Sequence, residues 1–136
     1  MDVAPPIATA LALDHLVLVT ADVERTLAWY QRHLGLDGVR VEEWRAGEAP
    51  FPSLRVDEST IIDLVAGELA PQGQRLDHVC FVVTADDLTR LRSVSGITVD
   101  DEGVRFGARG IGQSIYVRDP DGLTVEIRTY DGMGDR

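Results

Sequence analysis

The sequence predicts an α+β domain made of two tandem copies of one βαβββ unit. The main observation is an internal repeat: residues 13–19 (LDHLVLV) resemble residues 76–82 (LDHVCFV), and each segment precedes a Thr-Ala-Asp tripeptide. A second matched pair, 60–64 (TIIDL) and 123–127 (LTVEI), carries an acid 48 positions after the histidine of its own half. Since the two histidines and the two acids are each 63 residues apart, we interpret the chain as a duplication.

Local patterns assign the elements of the first unit, which spans about 13–66. Residues 13–19 are apolar and β-branched, which predicts a buried strand. Asp22 is a suitable N-cap and Gly35 a suitable residue to end a helix, and the apolar side chains of 23–34 recur at helical spacing between them. Three shorter strands are predicted to follow, at 39–45, 52–57 and 59–66.

The second unit, about 76–130, repeats this layout more briefly. It is predicted to open with a strand at 76–83 and a helix at about 86–93. The glycines at 107, 110 and 112 indicate a mobile loop near the functional residues. The remaining strands are predicted near 97–100, 112–118 and 123–130, and the DPDG sequence at 119–122 predicts a tight turn between the last two.

Composition limits the classes of protein that fit. The 136 residues suffice for one compact domain, assigned to 13–136, and Pro5-Pro6 marks residues 1–12 as a loosely held leader. A net charge of −10 disfavours nucleic acids as partners, and no apolar run is long enough to cross a membrane. Cys80 is the single cysteine, so no intrachain disulfide can form, which fits a cytoplasmic location.

Four polar residues in the repeated strands are candidate metal ligands. His15 and Asp63 in the first unit, and His78 and Glu126 in the second, lie mid-strand on largely apolar faces. A buried carboxylate is costly unless it is paired or coordinated, and two imidazoles with two carboxylates suit one divalent Fe, Mn, Ni, Co or Zn ion. Taken singly, each residue has an ordinary structural explanation, such as an ion pair between Glu126 and Arg128. The identical spacing favours the shared metal.

The chain resembles the vicinal oxygen chelate superfamily, which includes glyoxalase I, methylmalonyl-CoA epimerase, extradiol dioxygenases and bleomycin and fosfomycin resistance proteins. The resemblance covers 12–130 and rests on residues 13–36, IIDL at 61–64, LDHVCFVV at 76–83 and YVRDPDGLTVEI at 116–127. It implies a curled mixed sheet that forms a cup around the metal. The implied ligands are His15, Asp63, His78 and Glu126. Asp63 replaces the glutamate usual in glyoxalase-like members, so it either binds through water or leaves a three-ligand site.

The resemblance implies several functions. The leading hypothesis is a metal-dependent lyase or isomerase that acts on a small oxygenated metabolite, with Glu126 moving the proton. An extradiol-type dioxygenase with Fe(II) held by His15, His78 and Glu126 is the first alternative. An antibiotic-resistance or drug-binding protein of the same fold is the second. The resemblance also implies a homodimer.

Three further residues are candidates for contact with a small-molecule substrate. Arg128 is predicted to share the face of Glu126. Arg55 could contribute to a basic pocket, although its ordinary role would be that of a surface charge. Tyr116 could supply the acid of an extradiol-type reaction, since the region has no extra histidine for that role. We expect no membrane and no nucleic acid among the partners.

Overall fold

The computed structural model describes residues 4–69, 75–118 and 123–133, which form eight strands and three helices. The strands are β1 Ala12–Thr20, β2 Asp37–Val39, β3 Ser53–Arg55, β4 Ile61–Ala66, β5 Leu76–Val82, β6 Asp101–Gly107, β7 Gly110–Arg118 and β8 Thr124–Thr129. The helices are α1 Val23–Leu34, α2 Val41–Arg45 and α3 Ala85–Ser93.

These strands form one mixed sheet in the order β2-β3-β4-β1-β5-β8-β7-β6. The central strands β1 and β5 pair antiparallel, and each is flanked by the last strand of its own unit, β4 beside β1 and β8 beside β5, in parallel. The registers also match: Val17 is opposite Asp63, and Cys80 is opposite Glu126. In each unit the acid is therefore opposite the residue two positions after the histidine. The predicted α+β fold of two βαβββ units in a curled mixed sheet is confirmed.

Helix α1 has the predicted bounds, and local hydrogen bonding accounts for both ends. Asp22 accepts a hydrogen bond from the Arg25 backbone N–H at 3.1 Å, and Gly35 ends the helix in the left-handed conformation at φ 67°. Leu27, on the inner face, packs in a core with Leu54 and Leu64. None of the helices in the described ranges has the length and apolar character needed to span a bilayer.

A second core lies under α3, whose first turn is capped by Thr84. Leu88 and Leu91 of this helix pack against the sheet residues Ile115 and Ile127. The described part of the N-terminal segment is attached to the second unit. Ala8 packs on the core under α3, and two backbone N–H groups that precede β1 donate hydrogen bonds to residues of the second unit. These bonds run from Thr9 to the Asp87 carboxylate and from Leu11 to the Val82 carbonyl.

The structure corrects the prediction of a strand at 39–45. Only Asp37–Val39 is a strand, and Val41–Arg45 forms the short helix α2. Two interactions favour the helix: Arg45 pairs with Glu42 one turn before it, at 2.9 Å, and also with Glu24 of α1, at 2.8 Å. The helix begins after Arg40, which has a left-handed backbone conformation at φ 56°.

The predictions for the middle of the second unit were also partly wrong. Residues 97–100 are not a strand; Ile97 and Val99 pack on the core instead, and pairing with β7 becomes regular in β6. The glycines predicted to form a mobile loop lie in the β6–β7 hairpin. A Cβ atom at Gly107 would lie 2.5 Å from Arg128 Cζ, so the glycine leaves space for that side chain. The turn predicted at 119–122 lies outside the described residues.

The two faces of α1 offer a stability test. Leu27→Ala removes a side chain that is 1% exposed and should lower the free energy of unfolding by about 2–5 kcal/mol, because a buried cavity remains. Leu34→Ala on the same helix removes a side chain that is 62% exposed and should change the free energy of unfolding by about 0.5 kcal/mol or less. Urea unfolding measures both, and equal effects would contradict this packing.

Candidate metal centre

Three of the four predicted ligands converge at one point of the sheet. His15 of β1, His78 of β5 and Glu126 of β8 form a group, called here the His–Glu cluster, whose nearest ligand atoms all lie within 4.8 Å of one another. The two Nε2 atoms are 3.3 Å apart, and each lies 3.1 Å from Glu126 Oε1. His15 and Glu126 are fully buried, whereas His78 is partly exposed.

The fourth predicted ligand, Asp63 of β4, lies at the edge of this group. Its Oδ2 atom is 3.9 Å from His15 Nε2, and its Oδ1 atom accepts a hydrogen bond from Ser53 Oγ at 2.5 Å. Burial raises the pKa of the Asp63 carboxyl, although the facing imidazoles and Ser53 oppose the shift. The geometry therefore brings three residues together and keeps Asp63 beside them.

Each histidine is oriented by the aspartate that precedes it. His15 Nδ1 donates to Asp14 Oδ2, and His78 Nδ1 donates to Asp77 Oδ2, both at 2.8 Å. Since Nδ1 carries the shared proton in each ring, Nε2 is left to face the cluster.

Neighbouring residues of a strand normally face opposite sides of the sheet, so these contacts need a local irregularity. The β1–β5 ladder has two register shifts, one between Leu13 and His15 and one between Val17 and Leu18. Asp14 is skipped at the first shift and Asp77 at the second. Each is thus the extra residue of a β-bulge, a feature that re-aims side chains. The sequence analysis gave Asp14 and Asp77 no role. The signal that could have identified them was the Asp-His dipeptide, which occurs in both units.

Glu126 is held so that one oxygen points at the histidines. Its Oε2 atom accepts hydrogen bonds from Ser114 Oγ at 2.7 Å and from Arg128 Nη1 at 3.1 Å, which leaves Oε1 for the cluster. Burial alone would raise the pKa of this carboxyl, but the hydrogen bonds from both imidazoles and from Ser114 hold it well below its usual range.

Arg128 was predicted to contact substrate, and the structure shows that this is wrong. Its side chain is fully buried, and its guanidinium donates hydrogen bonds to three backbone carbonyls as well as to Glu126. It also lies 4.0 Å from Asp14, whose carboxylate accepts a further hydrogen bond from the Tyr130 hydroxyl. Arg128 therefore has a structural role: its buried positive charge holds Glu126 in place and compensates the charge of Asp14. The three carbonyls belong to Arg105, Phe106 and Gly110.

A cavity of about 490 Å³ opens beside the cluster. This size suits a small molecule. Tyr116, a predicted substrate contact, lies on the cavity wall, with its ring 6.0 Å from that of His78. Arg55 does not line it; its guanidinium donates to the Asp57 carbonyl instead. Arg105, which like Arg55 was considered for a basic pocket, also lines the cavity. The wall further includes residues that the sequence analysis did not single out, among them Arg40, Pro50, Phe51, Val104 and Phe106.

The donor set fits a divalent cation. With both Nδ1 atoms donating to aspartates, two Nε2 atoms and Glu126 Oε1 remain as possible ligand atoms, and these three lie within 3.3 Å of one another. Three converging acceptors repel one another unless a positive charge lies between them, and that charge is either bound protons or a metal. Although burial opposes the charge, hydrogen bonds to Asp14, Cys80 and Glu126 raise the pKa of His15 to about 12. Without a metal the cluster therefore holds at least one proton, on His15, which a cation would displace.

Metal uptake should release protons. The pKa of His15 is raised to about 12, so this ring is protonated in the metal-free protein at pH 7.5, and a metal can bind only the deprotonated nitrogen. Although burial opposes the charge, hydrogen bonds with Glu126 and Asp77 also raise the pKa of His78. We expect about one to two protons released per Zn²⁺, and an affinity that falls as the pH falls. Titration calorimetry in two buffers of different ionisation enthalpy measures the number. Zinc binding without proton release would contradict this arrangement.

The two orienting aspartates should differ in their effect on metal affinity. Asp14→Asn, at a fully buried position, should weaken zinc binding about tenfold to a hundredfold, because it removes the charge behind the His15 ring. Asp77→Asn should weaken it less, since the Asp77 side chain is 54% exposed and water screens its charge. Competition with a chromogenic chelator gives both affinities, and thermal unfolding checks that each variant is folded. Equal losses would show that burial does not matter here.

Comparison with known proteins agrees with this architecture. The chain is 30% identical over 125 residues to Virulence protein STM3117 of Salmonella typhimurium, covering 87% of this chain and 83% of that protein. It is 32% identical over 123 residues to the Glyoxalase domain-containing protein RDO1 of Mycosarcoma maydis, covering 88% of this chain and 68% of that protein.

Solved structures share the fold at lower identity. Methylmalonyl-CoA epimerase from Mycobacterium tuberculosis matches with a TM-score of 0.64 at 23% identity, covering 94% of this chain and 92% of that one. The Mn(II)-bound glyoxalase from Novosphingobium aromaticivorans matches with a TM-score of 0.69 at 18% identity, covering 90% of this chain and 40% of that one. A sequence profile matches residues 12–127. The chain therefore belongs to the Glyoxalase/Bleomycin resistance protein/Dioxygenase superfamily.

Proposed function

We propose that the chain is a divalent-metal-dependent lyase or isomerase that acts on a small oxygenated metabolite. The observation that carries the proposal is the convergence of two imidazole nitrogens and a carboxylate oxygen beside a cavity of about 490 Å³. Two structural neighbours support the proposal: one is a glyoxalase with bound Mn(II), and the other is an epimerase, which is an isomerase.

A bound cation would supply Lewis-acid polarisation of a substrate carbonyl and neutralise the oxyanion that develops there. The chain supplies the proton transfer. Glu126 is the proposed proton carrier, at Oε1, because Ser114 and Arg128 hold only Oε2; Oε1 would loosen from the cation in order to act as the base. Fixing one oxygen keeps the other aimed at the same point while the proton moves.

Asp63 is a second carboxylate on the same cavity. It comes from β4 and Glu126 from β8, and these strands lie on opposite sides of the central β1–β5 pair. Burial raises the pKa of Asp63, whereas that of Glu126 is lowered, so the two groups differ in their affinity for a proton. An isomerisation in which one group removes a proton and another returns it suits such a pair.

Solvent hydrogen exchange tests this proposal. Protein loaded with Zn²⁺, Mn²⁺, Co²⁺ or Ni²⁺ is incubated in D₂O with small α-hydroxy ketones and α-hydroxy acids, and loss of the C–H signal next to the carbonyl is followed by NMR. We expect metal-dependent exchange, lowered about 10²–10⁴-fold by Asp63→Asn with metal content retained. Glu126→Gln should lose both exchange and metal, because it removes a ligand. A metal-loaded protein that exchanges no substrate of either class would contradict the lyase or isomerase.

One observation favours a second candidate, the extradiol-type dioxygenase. Two histidines and one carboxylate are the set that holds non-haem Fe(II) in oxygenases, and His15, His78 and Glu126 match it. Oxygen consumption by Fe(II)-loaded protein with catechol, in place of proton exchange, would identify this reaction. A drug-binding protein would show neither reaction.

A further inference from the structure

Arg40 occupies an unusual position on the wall of the cavity. It lies between β2 and α2 and, among the described residues, is the one non-glycine residue with a positive φ, 56°. Such a conformation costs free energy and persists where the surroundings impose it, often at ligand sites. Its guanidinium lies over two aromatic rings: Cζ is 3.8 Å from the centroid of Phe106, in the second unit, and 5.1 Å from that of Phe51, in the first.

This cation has no anionic partner in the described part of the chain. Its Nε atom is buried and has no hydrogen-bond partner there, and no carboxylate lies within 4 Å of the guanidinium. Yet the chain has 23 acidic residues and 13 basic ones, so partners are abundant. A partly buried charge is costly without a counter-ion. An arginine kept apart from so many acids, inside a cavity, is available to an anion that enters it.

The rings also limit how that anion can approach. The Arg40 Cζ atom lies over the ring faces of both Phe51 and Phe106, so an anion would bind to the N–H groups along the edge of the guanidinium. The edge presents parallel N–H groups that match a planar carboxylate. Arg105 adds positive charge to the same wall, although it is also paired with Asp101 at 3.3 Å.

We infer that the cavity binds a carboxylate-bearing small molecule, with its carboxylate on the edge of Arg40 and its metal-chelating oxygens towards the His–Glu cluster. This substrate class rests on the proposed metal-dependent function. The rings of Phe51 and Phe106 would then contact the apolar part of the molecule between its two polar ends. Arg40 acts as a specificity residue: it selects the anion and takes no part in the proton transfer.

Matched catechols test the inference by binding, without turnover. The full chain, loaded with Zn²⁺, is titrated calorimetrically with 4-methylcatechol and with catechols that carry a carboxylate on zero, one or two methylenes. At least one acid should bind about tenfold to a hundredfold more tightly than 4-methylcatechol, since it adds a charge-assisted contact. Arg40→Gln should abolish this advantage, and Arg40→Lys should retain part of it. Arg32→Gln, which removes an exposed charge from α1, should leave it unchanged.

The controls separate this inference from the proposed function. Zinc content, measured by elemental mass spectrometry, should be the same in wild type, Arg40→Gln and Arg32→Gln. If the wild type binds no zinc, the proposed function fails, and the same titrations on metal-free protein still decide whether Arg40 prefers the acids.

Three results would overturn the inference: no carboxylate advantage in wild type, the same advantage in folded Arg40→Gln, or a larger advantage for a catechol phosphonate than for every carboxylate. If thermal unfolding shows Arg40→Gln to be misfolded, the wild-type comparison and Arg40→Lys decide.

Discussion

The antiparallel pairing of β1 with β5 is the constraint on which the candidate site depends. These strands belong to different units, and their register alone brings His15 Nε2 within 3.3 Å of His78 Nε2. A slip of one residue would turn one of the two rings to the other face of the sheet. The parallel strands β4 and β8 then add one carboxylate each from the outside. Within the described residues, the site is therefore a property of the junction between the units.

The two units have diverged around the same ligand pattern. The aspartate that orients His15, Asp14, is buried and contacts both Tyr130 and Arg128. Arg128 also donates a hydrogen bond to Glu126. Behind His78 the supporting aspartate is largely exposed. One histidine is thus held rigidly by buried charge and the other is held near water at the cavity. The two histidines therefore differ in their exposure to water, although the backbone pattern is duplicated.

The sequence was sufficient for the features that repeat or follow local rules. The spacing of 63 residues predicted the two units, and capping by Asp22 and Gly35 predicted α1 with its observed bounds. Features that depend on contacts distant in sequence were missed. Residues 41–45 became a helix partly because Arg45 pairs with Glu24, 21 positions away. The role of Arg128 is set by carbonyls of β6 and by Asp14, and Arg40 is defined by rings from both units, which no local pattern reveals.

The position of the cluster at the junction makes a bound cation a cross-link between the units. In the unfolded chain His15 and Glu126 are separated by 111 residues, so no such site exists before β5 has docked on β1 and β8 on β5. A ligand that binds the folded state alone stabilises it by mass action, about 1.4 kcal/mol for each tenfold excess of free metal over its dissociation constant. If the cluster binds a cation as proposed, the supply of metal would therefore also raise the stability of the paired units.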